Sequence, residues 1–233
     1  MSGPVPAQGR RLSAIVFDVN ETLTDLSPVG DVLTGLGMAA NAVRWWFSVV
    51  LRDGFAVAAS GGSAAFVDLA AAALAEVAAA SGLVLPADAG EQVVYALRRC
   101  PLHADVAPSL ARLGAAGVPA FALTNGSAQL ARGALSGAGL LGSFAGVLSV
   151  TEVGHWKPRP EPYRYAAQVA GAPPERMALV AVHPWDVHGA SGAGFQTGWA
   201  NRNGVAYPPV FRPPTVSAAR LDELIERLLA LAG

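Results

Sequence analysis

Five short apolar runs, Leu12 to Phe17, Pro119 to Leu123, Gly146 to Val150, Met177 to Val182 and Thr197 to Ala200, constrain this chain more than any other feature. Each is continuous rather than alternating, and each is bounded by Gly, Pro or polar residues. A strand with one wet face alternates apolar and polar side chains. A strand apolar throughout must be covered on both faces, as in a parallel sheet flanked by helices. Helical patterns lie between the runs, near Pro108 to Ala116, Ala128 to Gly137 and Glu161 to Ala170, and an amphipathic one closes the chain from Ser217 to Leu231. The alternation predicts an α/β fold, a doubly wound Rossmann-like parallel sheet with right-handed crossovers.

From Ser27 to Leu102 the strand signal disappears and only helical patterns remain, Ala40 to Arg52, Ala64 to Ser81 and Ala89 to Arg99. Ser63 suits an N-cap for the second, and Asp88 with Glu91 three residues on has the pattern of a capping box for the third. An all-helical insertion after the first strand predicts a cap domain over the carboxyl edge of the sheet. The division expected is 27–103 for the cap and 1–26 with 104–233 for the core, with hinges near Leu26 to Gly30 and Pro101 to Pro108. Asp68 and Glu76 interrupt the most apolar stretch, Ala64 to Leu85, so it reads as a soluble helix rather than a membrane span. Met1 to Arg10 reads as a loose Pro/Gly-rich tail without a secretory signal.

With 52% hydrophobic residues in 233 the chain can bury a substantial core, and its net charge of −1 gives no footprint for nucleic acid or an acidic membrane. The partner expected is therefore a small molecule, and an anionic one is compatible with the charge. Cys100 is the sole cysteine, which rules out an intrachain disulfide and suits the reducing cytoplasm, with the thiol itself read as structural.

Chemistry gathers where the runs end. The first runs into Phe17-Asp18-Val19-Asn20-Glu21-Thr22, placing Asp18 beyond a strand's carboxyl end, where open α/β sheets bind ligands. The second ends in Thr124-Asn125-Gly126-Ser127 ahead of a helix. That segment is either an anion site with side-chain donors or simple capping by Ser127. Lys157, in Trp156-Lys157-Pro158, is the chain's one lysine; all other fixed cations are arginine, which suggests a position that needs a compact point charge. The fourth segment, His183-Pro184-Trp185-Asp186, sets a second carboxylate at another strand end.

These four segments in this order resemble the motifs of the haloacid dehalogenase superfamily, and the helical insertion resembles that superfamily's cap. By that resemblance Asp18 is the nucleophile, Thr124 the second-motif hydroxyl, Lys157 the third-motif lysine and Asp186 the fourth-motif acid. The phosphatase branch usually carries a general acid two residues after the nucleophile. Here that residue is Asn20, whose amide does not titrate, and a halide, unlike an alkoxide, leaves without needing a proton.

The Thr-Asn-Gly-Ser segment, the Lys-Pro pair with Tyr163 six residues after the lysine, and the Trp-Asp pair resemble the L-2-haloacid dehalogenases. This implies a hydrolase that forms an ester between Asp18 and a short 2-haloacid and then hydrolyses it, with no cofactor and with dimers common. The halide cradle maps onto Arg44, Asn125 and Trp185 with Asn20 nearby, while Thr22, Thr124, Lys157 and Tyr163 support the nucleophile or the substrate carboxylate. Arg52 is the alternative to Arg44.

Two departures stand out. Glu21 occupies a position where the family often has Gly, so the turn after Asp18 either forgoes that freedom or uses Glu21. Ala181 and His183 replace a Ser and an Asn that place the hydrolytic water, and His183 is read either as the replacement base or as a loop-bonding histidine. The rival functions are a Mg²⁺-dependent phosphatase using Asp18 and Asp186, and a binding protein that has lost turnover.

Overall fold

The computed structural model describes residues 11–231; the expected N-terminal tail falls outside them. Five strands form at the five apolar runs: β1 (Ala14–Phe17), β2 (Ala120–Thr124), β3 (Gly146–Ser149), β4 (Met177–Ala181) and β5 (Gln196–Ala200). A sixth, β6 (Val216–Ala218), lies where the closing helix was expected to begin, and that helix, α9, starts at Leu221 and runs to Ala230. Three residues are too few for a periodicity to show, which is why the strand is invisible in the sequence. All pairings are parallel, in the order β3-β2-β1-β4-β5-β6. The chain passes from β1 outward through β2 and β3, then returns to lay β4 on the other side of β1. Ligand crevices open at such a reversal, beyond the strands' carboxyl ends.

Both faces of the sheet are buried, as the continuous apolarity requires. Ile15 and Phe17 pack toward α5 (Val106–Ala116), α6 (Ala128–Gly137) and α9, in one cluster with Leu110, Leu135 and Leu224. Ala14 and Val16 face α7 (Pro160–Ala170) and α8 (Pro184–Gly192), clustering with Ala166, Tyr163 and Val187.

Between β1 and α5 the described elements are all helices: α1 (Ser27–Gly35), α2 (Ala42–Ala59), α3 (Phe66–Ala80) and α4 (Ala89–Arg98). These four bury an apolar cluster of their own around Trp46, Val50, Leu74 and Val77. α1 forms where a hinge was expected, begun by Pro28 in its first turn. The expected caps are not made. Residue 65, an alanine, occupies the N-cap of α3, and the Asp88 side chain accepts a hydrogen bond from Gln92 Nε2 rather than from the backbone of α4.

Trp156, from the loop before α7, belongs to this helical cluster. Its indole donates to the carbonyl of Ala64 and stacks on Phe66. Its six-membered ring lies over Gly54 so closely that a Cβ there would stand 2.3 Å from the ring edge.

Candidate active site

β1 delivers Asp18 to the reversal point, where its amide donates to Val180 O across the β1/β4 pair. Lys157 enters from the β3–α7 connection, fully buried, and each N–H of its ammonium has a partner. They are Asp18 Oδ1 at 2.8 Å, Asp186 Oδ2 at 2.6 Å and Leu123 O at 3.0 Å. The other oxygen of Asp18 accepts from Thr22 Oγ1 at 2.6 Å and lies 3.1 Å from His183 Nδ1. Asp186 Oδ1 accepts from Tyr163 Oη at 2.5 Å. Residues 18, 22, 157, 163, 183 and 186 thus form one connected network, with Asp18 keeping only 6% of its side chain exposed.

Burial raises the cost of charge on Asp18, but the Lys157 ammonium, and after it the bond and charge of His183, outweigh burial and hold the carboxyl far below its ordinary range. Asp186 moves the opposite way, through burial first and then the repulsion of Asp18, against the pull of Lys157. Burial also opposes charge on Lys157, yet the two carboxylates raise it. Tyr163 is driven well above its ordinary value by burial and by Asp186, so its phenol remains a donor. The split between two carboxylates sharing one cation keeps Asp18 ionised, the state a nucleophile requires.

His183 joins two carboxylates. Its Nε2 lies 3.0 Å from Glu21 Oε2 while Nδ1 faces Asp18, so both nitrogens meet carboxylates. Burial pushes the imidazole down, but the hydrogen bonds to Asp18 and Glu21, followed by their charges, lift it to about 9. A histidine in that setting is doubly protonated at neutral pH and has no lone pair to take a proton from water. In this arrangement the ring lies as a cation between two anions.

The remaining residues stand at the margin. Thr124 Oγ1 accepts from the Gly126 amide, and Ser127 caps α6 through Leu130 N. Asn125 is clamped onto the backbone of Lys157, accepting from its amide and donating to its carbonyl. Trp185 stacks on His183, with ring centroids 5.0 Å apart, and meets Phe55 edge-on. Asn20 and Thr124 share a hollow of about 20 Å³, room for one water. A broader cleft of about 930 Å³ is lined by Glu21, Arg44, Phe47 and His183 among others. Arg44 is exposed there, whereas Arg52 is bound to Asp53 and Glu76. Cys100 is buried, its thiol pushed up to about 12 by burial and then by Asp25, in keeping with a structural role.

Two elements of the site were not found in the sequence. The first is Glu21 as the partner of His183, flagged only by its departure from glycine. The second is Arg202, which grips both oxygens of Asp105 and donates to Thr22 O, holding the loop that carries Thr22. Arg202 lies 180 residues from Thr22, and no local pattern marks it.

The donors present do not suit a magnesium ion. Mg²⁺ needs near-octahedral oxygen ligands. Here the ammonium of Lys157 stands between Asp18 and Asp186, and the second oxygen of Asp186 is taken by Tyr163. Among the described residues no three His, Cys, Asp or Glu groups are arranged to hold a metal.

The model of the haloacid dehalogenase-like hydrolase family matches residues 12–194. The chain belongs to that family. An (S)-2-haloacid dehalogenase of Pseudomonas putida is 28% identical to this haloacid dehalogenase-like hydrolase over 220 residues, covering 94% of this chain and 98% of the relative. A phosphoserine phosphatase of Thermus thermophilus is 41% identical over 139 residues, covering 58% of this chain and 53% of its own length. The crystal structure of an L-2-haloacid dehalogenase superposes with a TM-score of 0.89 at 27% identity, covering 94% of this hydrolase and 99% of that chain. The fold expected from the apolar runs is the fold of that crystal structure.

Proposed function

We propose that this hydrolase cleaves the carbon–halogen bond of a short 2-haloacid. An oxygen of Asp18 attacks the halogen-bearing carbon; the new C–O bond forms as the C–X bond breaks, and halide departs with the electron pair. Water then adds to the carboxyl carbon of the resulting ester and releases a 2-hydroxy acid, regenerating Asp18. In this reading Lys157 keeps Asp18 charged, Thr22 and Thr124 orient it, and Asp186 and Tyr163 hold Lys157. Arg44, Asn125, Trp185 and Asn20 receive the halide or the substrate carboxylate. Residues 27–103 act as a cap over a core of 1–26 and 104–233. The protein is taken to work in the cytoplasm and to form a homodimer, which light scattering tests.

The observation that carries the reading is the fully engaged Asp18–Lys157–Asp186 trio beside the non-titrating Asn20. It favours a leaving group that needs neither proton nor metal. The similarity to a phosphoserine phosphatase favours the rival, phosphate-ester hydrolysis, but the same trio argues against it. The deciding assay measures halide release from 2-chloro- and 2-bromo acids beside phosphate release from a panel of esters, each with and without EDTA. Chelator-insensitive halide release is expected; phosphate release abolished by EDTA would replace the proposal with the rival. An Asp18→Asn variant is expected to release no halide.

A further inference from the structure

Resting on the dehalogenase reading, we infer that Arg202 and Asp105 form a clasp that aims the nucleophile: Arg202 is a positioning residue that holds the carbonyl of Thr22, and through Thr22 it fixes one oxygen of Asp18. The carboxylate of Asp18 is oriented from two sides. Oδ1 accepts from Lys157 at 2.8 Å, and Oδ2 accepts from the Thr22 hydroxyl at 2.6 Å, closer than its 3.1 Å contact with His183. The second hold is only as steady as the turn after β1 that carries Thr22. That turn is tied down from outside. The Val182 amide donates to Thr22 Oγ1, His103 meets the carbonyl of Glu21 through Nε2 and that of Leu23 through its amide, and Arg202 Nη2 donates to Thr22 O at 2.9 Å. Thr22 is thus gripped at its hydroxyl by the end of β4 and at its carbonyl by Arg202.

The chemistry of the clasp explains why an arginine stands there. Its planar fork takes both oxygens of Asp105, at 2.9 and 3.0 Å, and that bidentate grip fixes the direction of the N–H that reaches Thr22 O. A lysine could not hold three acceptors in one plane. Asp105 is a rigid anchor: it is buried, one of its oxygens accepts from the Leu221 amide at the start of α9, and its carbonyl accepts from the Ser109 hydroxyl in α5. Burial opposes charge on Asp105, but the bonds from Arg202, followed by the one from Leu221, hold its carboxyl below the ordinary range, so both partners stay charged and cancel. Arg202 Nε, by contrast, is buried with no partner. A buried donor left unpaired costs stability, so the side chain sits where Asp105 and Thr22 need it rather than where its own bonding would be complete. Arg202 lines the cleft, yet its bonds run to Asp105 and Thr22. It acts on the reaction through the nucleophile's geometry and not through binding of the substrate.

The test is a double-mutant cycle in the full chain with 2-chloropropionate, reading the rate of halide release in the first turnover and the KM of steady turnover. Arg202→Lys is expected to slow first-turnover halide release roughly 10- to 100-fold, the cost of a misaimed nucleophile, with KM kept within about 3-fold. In a Thr22→Val background, where the hydroxyl link to Asp18 is already cut, the same Arg202→Lys change is expected to slow release by no more than about 2-fold further. Asp105→Asn keeps an acceptor for the Leu221 amide and weakens the grip on Arg202; it is expected to lose rate in the same sense and carries the cycle if Arg202→Lys does not fold. An equal loss in both backgrounds would make the clasp merely structural and overturn the inference. So would wild-type halide release in Arg202→Lys, or a raised KM with an unchanged rate, which would mean contact with the substrate. Each of those results leaves the dehalogenase reading intact. Absence of halide release from the wild-type protein would sink that reading and this one with it.

Discussion

Removing Lys157 would leave two buried carboxylates facing one another with nothing between them, since its ammonium meets both Asp18 and Asp186. A Lys157→Met variant is therefore expected to lose all halide release and about 3–5 kcal/mol of stability in urea unfolding, the usual cost of orphaning buried charge. His183 gives a second prediction, with its sign fixed by direction. The native imidazole is raised to about 9 from an ordinary 6.5, so its stabilising contribution is complete below pH 6.5 and disappears as pH climbs through 9. Unfolding free energy should fall by on the order of 2–3 kcal/mol between pH 6 and pH 10, and a His183→Gln variant should lack most of that slope. Asp18 predicts the opposite kind of profile: a first half-reaction flat from neutrality down to about pH 4, because the carboxyl is held far below its ordinary range. Lys157 and Asp18 were legible in the sequence because each carries its own signal, a solitary lysine and a carboxylate closing an apolar run. The state of His183 was not, because its charge is set by residues 162 and 165 positions away.

Elements were legible to the extent that burial forces a pattern. β1, β2 and β4 are buried at every residue, and each announces itself as an unbroken apolar run. β6, at a sheet edge and partly exposed, carries no such mark, and α1 has in its first turn a proline that reads equally well as a hinge. α8 carries no strong helical periodicity in its sequence, although Pro184 starts the helix and Asp186 sits in its first turn. The packing of α8 is unusually tight. A Cβ on Gly189 would meet Pro158 and the hydroxyl of Tyr163, each at 2.7 Å. Gly189→Ala is expected to lower stability by about 1–3 kcal/mol and to weaken activity by shifting Tyr163 off Asp186, visible as a lower melting temperature together with a reduced halide burst.

At the scale of the molecule, the sheet order puts β1 and β4 side by side, and four segments spread over 169 residues of sequence converge because their strands end on one edge. That convergence follows from apolar patterning and crossover rules, so a reader of the sequence could foresee it. What ties the helices of residues 27–98 to the segment that carries Lys157 could not be foreseen, because it depends on shape. Trp156 decides it. The residue immediately before Lys157 sends its ring into the helical cluster, against the bare backbone of Gly54 and onto the carbonyl of Ala64. One dipeptide therefore reports in two directions, with the indole against the helices and the ammonium on the nucleophile. Whatever loosens the first must jostle the second, so indole fluorescence should register the filling of the cleft as faithfully as a dye placed there on purpose.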